Sequence, residues 1–257
     1  MNKAEHWLAP DWPAPATIHA ATTLRTGGVS RGAYASLNPA LHVGDNDERV
    51  KTNRQIIKAM LDLPAEPVWL HQIHSNLAVD AAKSVPLQPA DASFSCESGI
   101  VCAVMTADCL PLLVCNTAGT HIAAIHAGWR GLLAGVISTT ITAMQILSDP
   151  SLCKRGAREE LLIWLGPAIG PDCFEVGAEV RKAFLEKSAE FITAFKKHNN
   201  GKWLADIYQL ARIDLAAFGI IDNVYGGHFC TVTEHERFYS YRRETQTGRM
   251  ASLIWRE

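Results

Sequence analysis

Three short segments carry side chains that could bind a metal ion or act as a nucleophile. Cys109 follows a Thr-Ala-Asp step in "MTADCLPLLVCN" (105–116), and His126 precedes a glycine turn in "AAIHAGWRGL" (123–132). The segment "HQIHS" (71–75) adds two more histidines. A hydrophobic core requires neither thiols nor imidazoles at strand ends and turns, so these residue types point to chemistry.

The spacing of the histidines limits which of them can share a site. Side chains alternate between the two faces of a strand, so residues an odd number of positions apart point in opposite directions. His71 and His74 are three positions apart, and His121 and His126 are five apart. His126, before the glycine turn, is better placed than His121, whereas the rule leaves His71 and His74 both open. One histidine from each of two strands therefore joins Cys109.

Two imidazoles and one thiolate suit Zn²⁺, and three protein ligands leave a fourth position open to water or substrate. An open zinc lowers the pKa of its bound water to about 7. A nucleophilic pair of Cys109 and His126 without metal accounts for these two residues about as well. The structural alternative is a small buried cysteine and a hydrogen-bonded histidine at a strand end. The chain has no Cys-x-x-Cys pair and no His-Glu-x-x-His helix to decide between them.

Hydrophobic periodicity and glycine and proline turns predict the strands and helices that must position these residues. The pattern mixes them without a strict alternation, which favours one α+β domain. The predicted strands are the first part of 23–38, which runs into a glycine-rich loop, 67–80, two strands within 99–116 interrupted at Thr106–Asp108, 120–129, 161–165 and a C-terminal hairpin over 238–255 that turns near Thr245–Gly248. The predicted helices are 45–63, 130–147, 175–188 and 204–219.

Composition excludes several classes of protein. The chain has 257 residues, of which 48% are hydrophobic, and a formal net charge of −2, so it lacks the basic field of a nucleic-acid-binding protein. No apolar run reaches the ~18 residues of a membrane helix, and the N-terminus lacks the apolar segment of a signal peptide. Seven cysteines without regular spacing indicate reduced thiols. We expect a cytoplasmic monomer.

Motifs along nearly the whole chain resemble the YfiH/YlmD family, whose members carry a multicopper polyphenol oxidase (laccase) domain and include the FAMIN-like proteins. The strings with ADCLP and HAGWRG are together hard to meet by chance. The matching strings, in order, are "LRTGGVS" (24–30), "SLN" (36–38), "HVGDN" (42–46), "VWLHQIHS" (68–75), "CAVMTADCLPLLVCN" (102–116), "AAIHAGWRGL" (123–132), "WLGPAIGP" (164–171), "FEVG" (174–177), "ADIYQLAR" (205–212), "FYSYRR" (238–243) and "TGRMAS" (247–252).

The resemblance implies a ligand set and a fold. It implies one zinc ion bound by His74, Cys109 and His126, because the family uses the second histidine of the His-x-x-His pair. His71 is then expected to be dispensable. The implied fold is a single domain over 1–257, a layered α-β-β-α sandwich grouped with cysteine-hydrolase-like folds.

Oxidase chemistry fits the residues less well than the family label suggests. A multicopper laccase gathers many imidazoles, and this chain has ten histidines but no His-x-His pattern. A blue-copper centre would also require a weak axial ligand such as Met105. A mononuclear site does not carry out four-electron oxygen reduction alone. Polyphenol oxidase activity is therefore the weaker alternative, and copper is the less favoured metal.

The resemblance implies instead a purine nucleoside phosphorylase that acts on adenosine, inosine and methylthioadenosine, with adenosine deamination at the same site. Zinc deaminases with His/Cys ligands provide a chemical precedent for the second reaction. Phosphorolysis also requires cationic donors that hold phosphate beside ribose C1′. The predicted substrate- and phosphate-binding residues are Arg25, Asn38, Arg130 and Arg242. Arg130 is also predicted to be catalytic, together with the three metal ligands.

Two other classes of function remain open at the level of sequence. An open zinc or a Cys-His pair also suits an amidohydrolase, for instance one that acts on a cell-wall precursor peptide. A metal-binding protein without turnover is the third class. The substrates expected from the resemblance are a small-molecule nucleoside and phosphate.

Overall fold

A computed structural model describes residues 6–148 and 160–257 of the chain. Cys153 and the first five residues of the predicted domain lie outside the described residues. The strands are β1 (Trp7–Leu8), β2 (Ile18–Thr23), β3 (Ala78–Asp80), β4 (Ala92–Ser95), β5 (Val101–Thr106), β6 (Leu110–Asn116), β7 (Ile122–Ala127), β8 (Leu161–Leu165), β9 (Glu175–Val176), β10 (Phe195–Lys197), β11 (Trp203–Ala205), β12 (Val224–Gly226) and β13 (Met250–Arg256). The helices are α1 (Asp47–Met60), α2 (Trp129–Ala134), α3 (Val136–Ser148), α4 (Ala178–Lys187) and α5 (Ile207–Ala216), with 3₁₀ turns at Gly32–Tyr34, Leu41–Val43, Ala189–Ala194 and Asn199–Gly201.

Two large sheets carry most of the strands, and each contains strands from distant parts of the sequence. The order of the four-stranded sheet is β1-β2-β13-β5, and that of the six-stranded sheet is β12-β8-β6-β7-β4-β3. A small third sheet has the order β10-β11-β9. Most neighbouring strands are antiparallel, whereas β3 with β4 and β12 with β8 are parallel pairs. The chain thus has the mixed α and β architecture that its sequence predicts.

Apolar residues on both faces of β6 explain why its sequence is a continuous hydrophobic run. Leu113 and Cys115 join a buried cluster that also contains Val104 and Ile254 of the four-stranded sheet. Alternate residues such as Leu112 belong to a second cluster, which includes side chains of α3 and α5. A third cluster joins α1 to the other face of the four-stranded sheet.

Strand register brings the ends of four strands to one edge of the molecule. Leu110 at the start of β6 pairs with Ala127 at the end of β7. Met250 at the start of β13 pairs with Thr106 at the end of β5. The interruption predicted at Thr106–Asp108 is confirmed as the turn between β5 and β6. Residues at this edge therefore meet although they are far apart in the sequence.

The strand predicted over 67–80 is wrong for most of its length. Only β3 at its end is a strand, and His74 has a φ of 59°, in the left-handed region. The cause is a distant carboxylate: Asp91 accepts hydrogen bonds from the backbone N–H groups of Ile73, His74 and Ser75. These bonds replace the hydrogen bonds of a strand ladder, so the alternation rule does not apply to His71 and His74.

The predicted C-terminal hairpin is wrong as well. Residues 238–249 contain a turn at 241–243 and no strand, and the one strand of the predicted hairpin that forms, β13, pairs with β2 and β5. Arg243 explains the difference, because its guanidinium donates to the carbonyl oxygens of Thr231, Val232 and Phe238 and holds the segment in this conformation. Within residues 6–148 and 160–257, every helix is too short or too polar to cross a membrane.

Candidate metal centre

The three predicted metal ligands come together at the strand edge described above. One ligand atom from each of His74, Cys109 and His126 can be chosen so that all lie within 4.8 Å of one another. The His74 Nε2 atom is 3.8 Å from Cys109 Sγ, and the two imidazole rings are 4.8 Å apart between centroids. Donors to Zn²⁺ lie about 2.0–2.3 Å from the ion, so these three side chains form a group that a single ion would draw closer together.

His126 is held by a buried carboxylate. His126 is the second-to-last residue of the strand β7 and is 4% exposed, and its Nδ1 lies 2.8 Å from Asp91 Oδ1. Burial alone would lower the pKa of His126, but Cys109 and Asp91 raise it to about 9. Burial would likewise raise the pKa of Asp91, yet hydrogen bonds from His126 and Ser75 lower it to about 2. The carboxylate thus fixes the imidazole and leaves Nε2 as its ligand atom.

Cys109 is the last residue of the turn between β5 and β6, directly before Leu110. Burial alone would raise the pKa of its thiol, but His126 and His74 lower it to about 6. Thiolate is the form that binds a metal ion. The turn itself is fixed by Asp108, which has a φ of 93° and accepts hydrogen bonds of 2.6 Å from Thr231 Oγ1 and from the backbone N–H of Arg242.

Gly128 explains why the sequence has a glycine directly behind the ligands. A Cβ atom at this position would lie 3.0 Å from Cys109 Sγ and 3.0 Å from His74 Cδ2. The backbone of Gly128 is extended, with a φ of −67°, so conformational freedom is not what the position requires. The absence of a side chain lets thiol and imidazole approach each other.

The donor set fits a zinc-type metal ion. Two imidazoles and one thiolate are the borderline-soft ligands that Zn²⁺ favours, and three protein ligands leave one position open. Asp91 also supports the second histidine, since its Oδ1 accepts the backbone N–H of His74 at 3.0 Å. One carboxylate therefore positions two ligands that are far apart in the sequence.

The remaining two candidate histidines do not contribute ligands to this group. His71 is exposed, and its backbone pairs with Pro89. His121 is buried next to the start of β7, where its Nδ1 lies 2.9 Å from Thr120 Oγ1. The two histidines of the candidate ligand group are His74 and His126.

The candidate metal centre opens on a cavity of about 560 Å³. Its wall combines aromatic and aliphatic side chains with three arginines. The lining residues are His42, Gln72, His74, Met105, Thr106, Ala107, Asp108, Cys109, His126, Trp129, Arg130, Ile169, Phe174, Ile207, Tyr241, Arg242 and Arg249. A pocket of this size, in which apolar surface meets several convergent polar groups, is typical of small-molecule sites.

Two of the four residues predicted to bind substrate or phosphate line the cavity. The Arg130 guanidinium lies 4.3 Å from the centroid of the Trp129 ring. The Arg242 guanidinium lies 5.6 Å from the Phe174 centroid, and its Nη1 donates to the carbonyl oxygen of Glu175. Both cations thus stand beside aromatic faces of the cavity wall.

The other two lie outside the cavity lining. Arg25 donates hydrogen bonds to the carbonyl oxygens of Ala35 and His235. Asn38 is fully buried, and its side-chain oxygen accepts the backbone N–H of Arg249 at 3.1 Å. Asn38 is therefore one residue removed from the cavity, behind an arginine that lines it.

Sequence reasoning missed His42 and Arg249 as cavity residues. Both lie in strings that carry the family resemblance, "HVGDN" and "TGRMAS". Neither forms a spacing pattern with another chemical residue. His42 lies in a 3₁₀ turn and Arg249 in the irregular segment before β13, and the placement of both depends on distant contacts. The motif strings themselves were the available signal.

Comparison with known proteins identifies the family. Residues 19–257 match the family model described as multi-copper polyphenol oxidoreductase laccase. The chain belongs to this family. It is 50% identical to a purine nucleoside phosphorylase of Pseudomonas aeruginosa over 97% of this chain and 98% of that protein. It is 49% identical to purine nucleoside phosphorylase YfiH of Escherichia coli over 96% of this chain and 98% of that protein.

Solved structures of similar proteins show the same fold. The chain matches a protein of Neisseria meningitidis with a TM-score of 0.89 and 49% identity, covering 98% of this chain and 100% of that one. It matches YlmD from Geobacillus stearothermophilus with a TM-score of 0.86 and 28% identity, covering 100% and 98%. The resemblance inferred from the sequence motifs is thereby confirmed.

Proposed function

We propose that this protein is a zinc-dependent purine nucleoside phosphorylase with adenosine deaminase as a side activity. The observation that carries the proposal is the His74, Cys109 and His126 group, which opens on a cavity lined by both aromatic rings and arginines. Relatives about half identical to this chain over almost their whole length carry the name purine nucleoside phosphorylase. Adenosine, inosine and methylthioadenosine are the proposed substrates.

Phosphorolysis requires the cavity to hold two reactants side by side. An oxygen of phosphate forms a bond to ribose C1′, and the bond from C1′ to the purine nitrogen breaks with its electron pair on the base, which takes up a proton. Trp129 and Phe174 offer aromatic surface for the purine, and Arg130 and Arg242, whose guanidinium groups lie over these rings, are the proposed donors to phosphate. Correct orientation of reactants accounts for a large part of enzymatic rate enhancement.

His74, Cys109 and His126 would hold the zinc ion. When bound, Zn²⁺ would supply Lewis-acid chemistry at its open position, which suits deamination, the exchange of the purine amino group for an oxygen of water with release of ammonia. Asp91 keeps the His126 ring in place through Nδ1 and keeps the His74 loop in place through the backbone N–H. These contacts pre-organise the ligands before a metal ion binds.

The proposed architecture is a single catalytic domain over 1–257 with α-β-β-α layers. The cluster between the two large sheets and the helix clusters on their outer faces support this order of layers. The cavity lies at one edge of the sheets, where turns rather than strand interiors meet. We also propose that this layered fold belongs with the cysteine-hydrolase-like folds.

Product analysis of adenosine reactions tests the proposed function. We expect adenine and ribose-1-phosphate only when phosphate is present, and inosine with or without phosphate. Chromatography of the products, with phosphate included or omitted, gives the measurement. Adenine release that does not require phosphate would indicate hydrolysis and would end the phosphorylase proposal.

A peptide panel separates the proposal from its main rival. The 3.8 Å contact of Cys109 with His74 also suits an amidohydrolase acting on a cell-wall precursor peptide. Strong amide turnover together with negligible nucleoside turnover would favour that rival. Oxygen consumption with a polyphenol, without nucleoside turnover, would favour the oxidase chemistry of the family label.

A further inference from the structure

Arg249 is the most firmly positioned of the three arginines that line the cavity. Its backbone N–H donates to Asn38 Oδ1 at 3.1 Å, and Asn38 is fully buried. The Asn38 side-chain amide in turn donates to Asp45 Oδ2 at 2.9 Å and to the carbonyl oxygen of Ala40. This chain of contacts fixes the backbone directly before β13.

The guanidinium of Arg249 is only partly used by the protein. Its Nη1 donates to the carbonyl oxygens of Thr247 and Gly248, both at 3.0 Å. A guanidinium has five N–H donors in a planar fork, so donors on Nε and Nη2 remain. Within the part of the chain that the structure describes, no carboxylate forms an ion pair with it at 4.0 Å or less.

The acidic groups nearest to Arg249 have other partners. Burial lowers the pKa of Arg249, and the charges of Cys109 and Asp108 offset this only in part. The carboxylate of Asp108 already accepts from Thr231 and Arg242, and Cys109 belongs to the metal centre. A partly buried cation at a cavity wall without its own anion is favoured when a ligand supplies one.

His42 adds a second donor to the same wall. It lies in the 3₁₀ turn Leu41–Val43 and lines the cavity together with Arg249. Burial lowers its pKa, and the charge of Arg249 lowers it further. A neutral imidazole can donate one N–H to an oxyanion without adding a second full charge.

The other two cavity arginines differ from Arg249 in their setting. Arg130 is exposed and stands over Trp129, and Arg242 is exposed and stands over Phe174. The Arg130 side chain, which lies over the Trp129 ring, loses rotamer freedom when it binds a ligand, and Arg242 already donates through Nη1 to Glu175. Arg249 is fixed at the cavity wall by two carbonyl oxygens. Pre-organisation therefore favours Arg249 as the first contact for a small anion.

We infer that Arg249, with His42 beside it, binds the phosphate that attacks the nucleoside. This inference rests on the proposed function and assigns one of its two substrates to a defined wall of the cavity. The planar fork of Arg249 can donate two parallel hydrogen bonds to phosphate oxygens. Asn38 and Asp45 act as positioning residues, because they hold the backbone of Arg249 and do not line the cavity.

Arginine variants of the metal-loaded enzyme test this assignment. We expect Arg249→Met to raise the KM for phosphate about ten- to a hundredfold and to leave the KM for inosine within about twofold, because one charge-assisted contact is lost. Arg249→Lys keeps the charge without the fork and should lie between Arg249→Met and the wild type. Arg31→Met, which removes an exposed arginine outside the cavity, is the matched control.

Titration with inorganic phosphate, followed by ³¹P NMR, gives a readout that does not depend on turnover. We expect the dissociation constant for phosphate to rise in Arg249→Met and Arg249→Lys but not in Arg31→Met. An unchanged phosphate constant in Arg249→Lys would overturn the assignment even if Arg249→Met failed to fold. A wild-type enzyme that binds phosphate at Arg249 but releases no adenine would retain the anion site and contradict only the proposed function.

Discussion

Two neighbouring regions of the molecule place cysteines in opposite environments. Cys102 and Cys115 lie inside β5 and β6, fully buried between the two large sheets, and burial raises the pKa of each thiol to about 12. Cys109 lies in the turn that joins the same two strands. There two imidazoles outweigh burial and lower the thiol pKa to about 6.

The difference follows from position along the strand rather than from residue type. Inside the sheets, neighbours on both faces are apolar, and a thiol there behaves as a small hydrophobic group. At the strand edge, the turn lets side chains from the 71–75 loop and from β7 reach Cys109. The same edge tolerates a fully buried Asp91, because its carboxylate accepts hydrogen bonds from His126, His74 and Ser75. The cysteine that can bind a metal ion therefore lies at the strand edge, and the cysteines of the sheet interior serve packing.

Removal of the edge thiol should have the largest effect. We expect Cys109→Ala to lose bound metal and both nucleoside reactions, because two imidazoles alone do not complete the ligand set. Elemental analysis of wild-type protein purified without added metal should show about one zinc per chain and little copper. Stoichiometric zinc in Cys109→Ala would contradict the proposed ligand set.

The matched control is an interior cysteine. Cys115→Ala should keep its zinc and its activity but lose about 1 kcal/mol of unfolding free energy, which corresponds to a fall in Tm of roughly 2–4 °C. In the loop, His74→Ala should behave like Cys109→Ala, whereas the exposed His71 should tolerate alanine. An inactive, metal-free His71→Ala beside an active His74→Ala would reverse the histidine assignment.

The second effect in size concerns the residue that supports the ligands. Asp91→Asn keeps the volume of the side chain but removes its negative charge. That charge holds His126, and the same carboxylate accepts hydrogen bonds from the backbone N–H groups of the His74 loop. Loss of such a supporting group typically costs 10–100-fold in metal affinity or activity, and we expect a decrease of about this size. Competition with a zinc chelator measures the affinity. An affinity equal to that of the wild type would show that the ligands are positioned without Asp91.

How far the sequence predicted these regions depends on the range of the interactions that shape them. β5 and β6 are continuous apolar runs, so their positions and the break at Thr106–Asp108 follow from local pattern. The placement of His126 at a strand end follows in the same way. The loop of His74 was predicted as a strand, because nothing local shows that Asp91 will take its backbone N–H groups. Arg249 was missed for a similar reason, since Asn38 fixes it from the far end of the chain.

The smallest effect tests how closely the edge is packed around its ligands. Gly128→Ala should fold normally, because the φ of −67° suits alanine. The new Cβ would lie 3.0 Å from Cys109 Sγ and from His74 Cδ2, so these two ligands must move by a few tenths of an ångström. Because small misplacements at a reacting centre are costly, we expect a loss of activity of up to about tenfold.

Thermal unfolding with and without zinc separates this effect from a general loss of stability. A bound ligand stabilises the folded state in proportion to the logarithm of its concentration over Kd, so weaker metal binding shrinks the difference in Tm between the zinc-loaded and metal-free protein. We expect the metal-free Tm of Gly128→Ala to match that of the metal-free wild type and the zinc-loaded Tm to fall. Equal falls in both forms would mean that the methyl group disturbs packing as it would in the interior, and the contrast between edge and interior would not hold at Gly128.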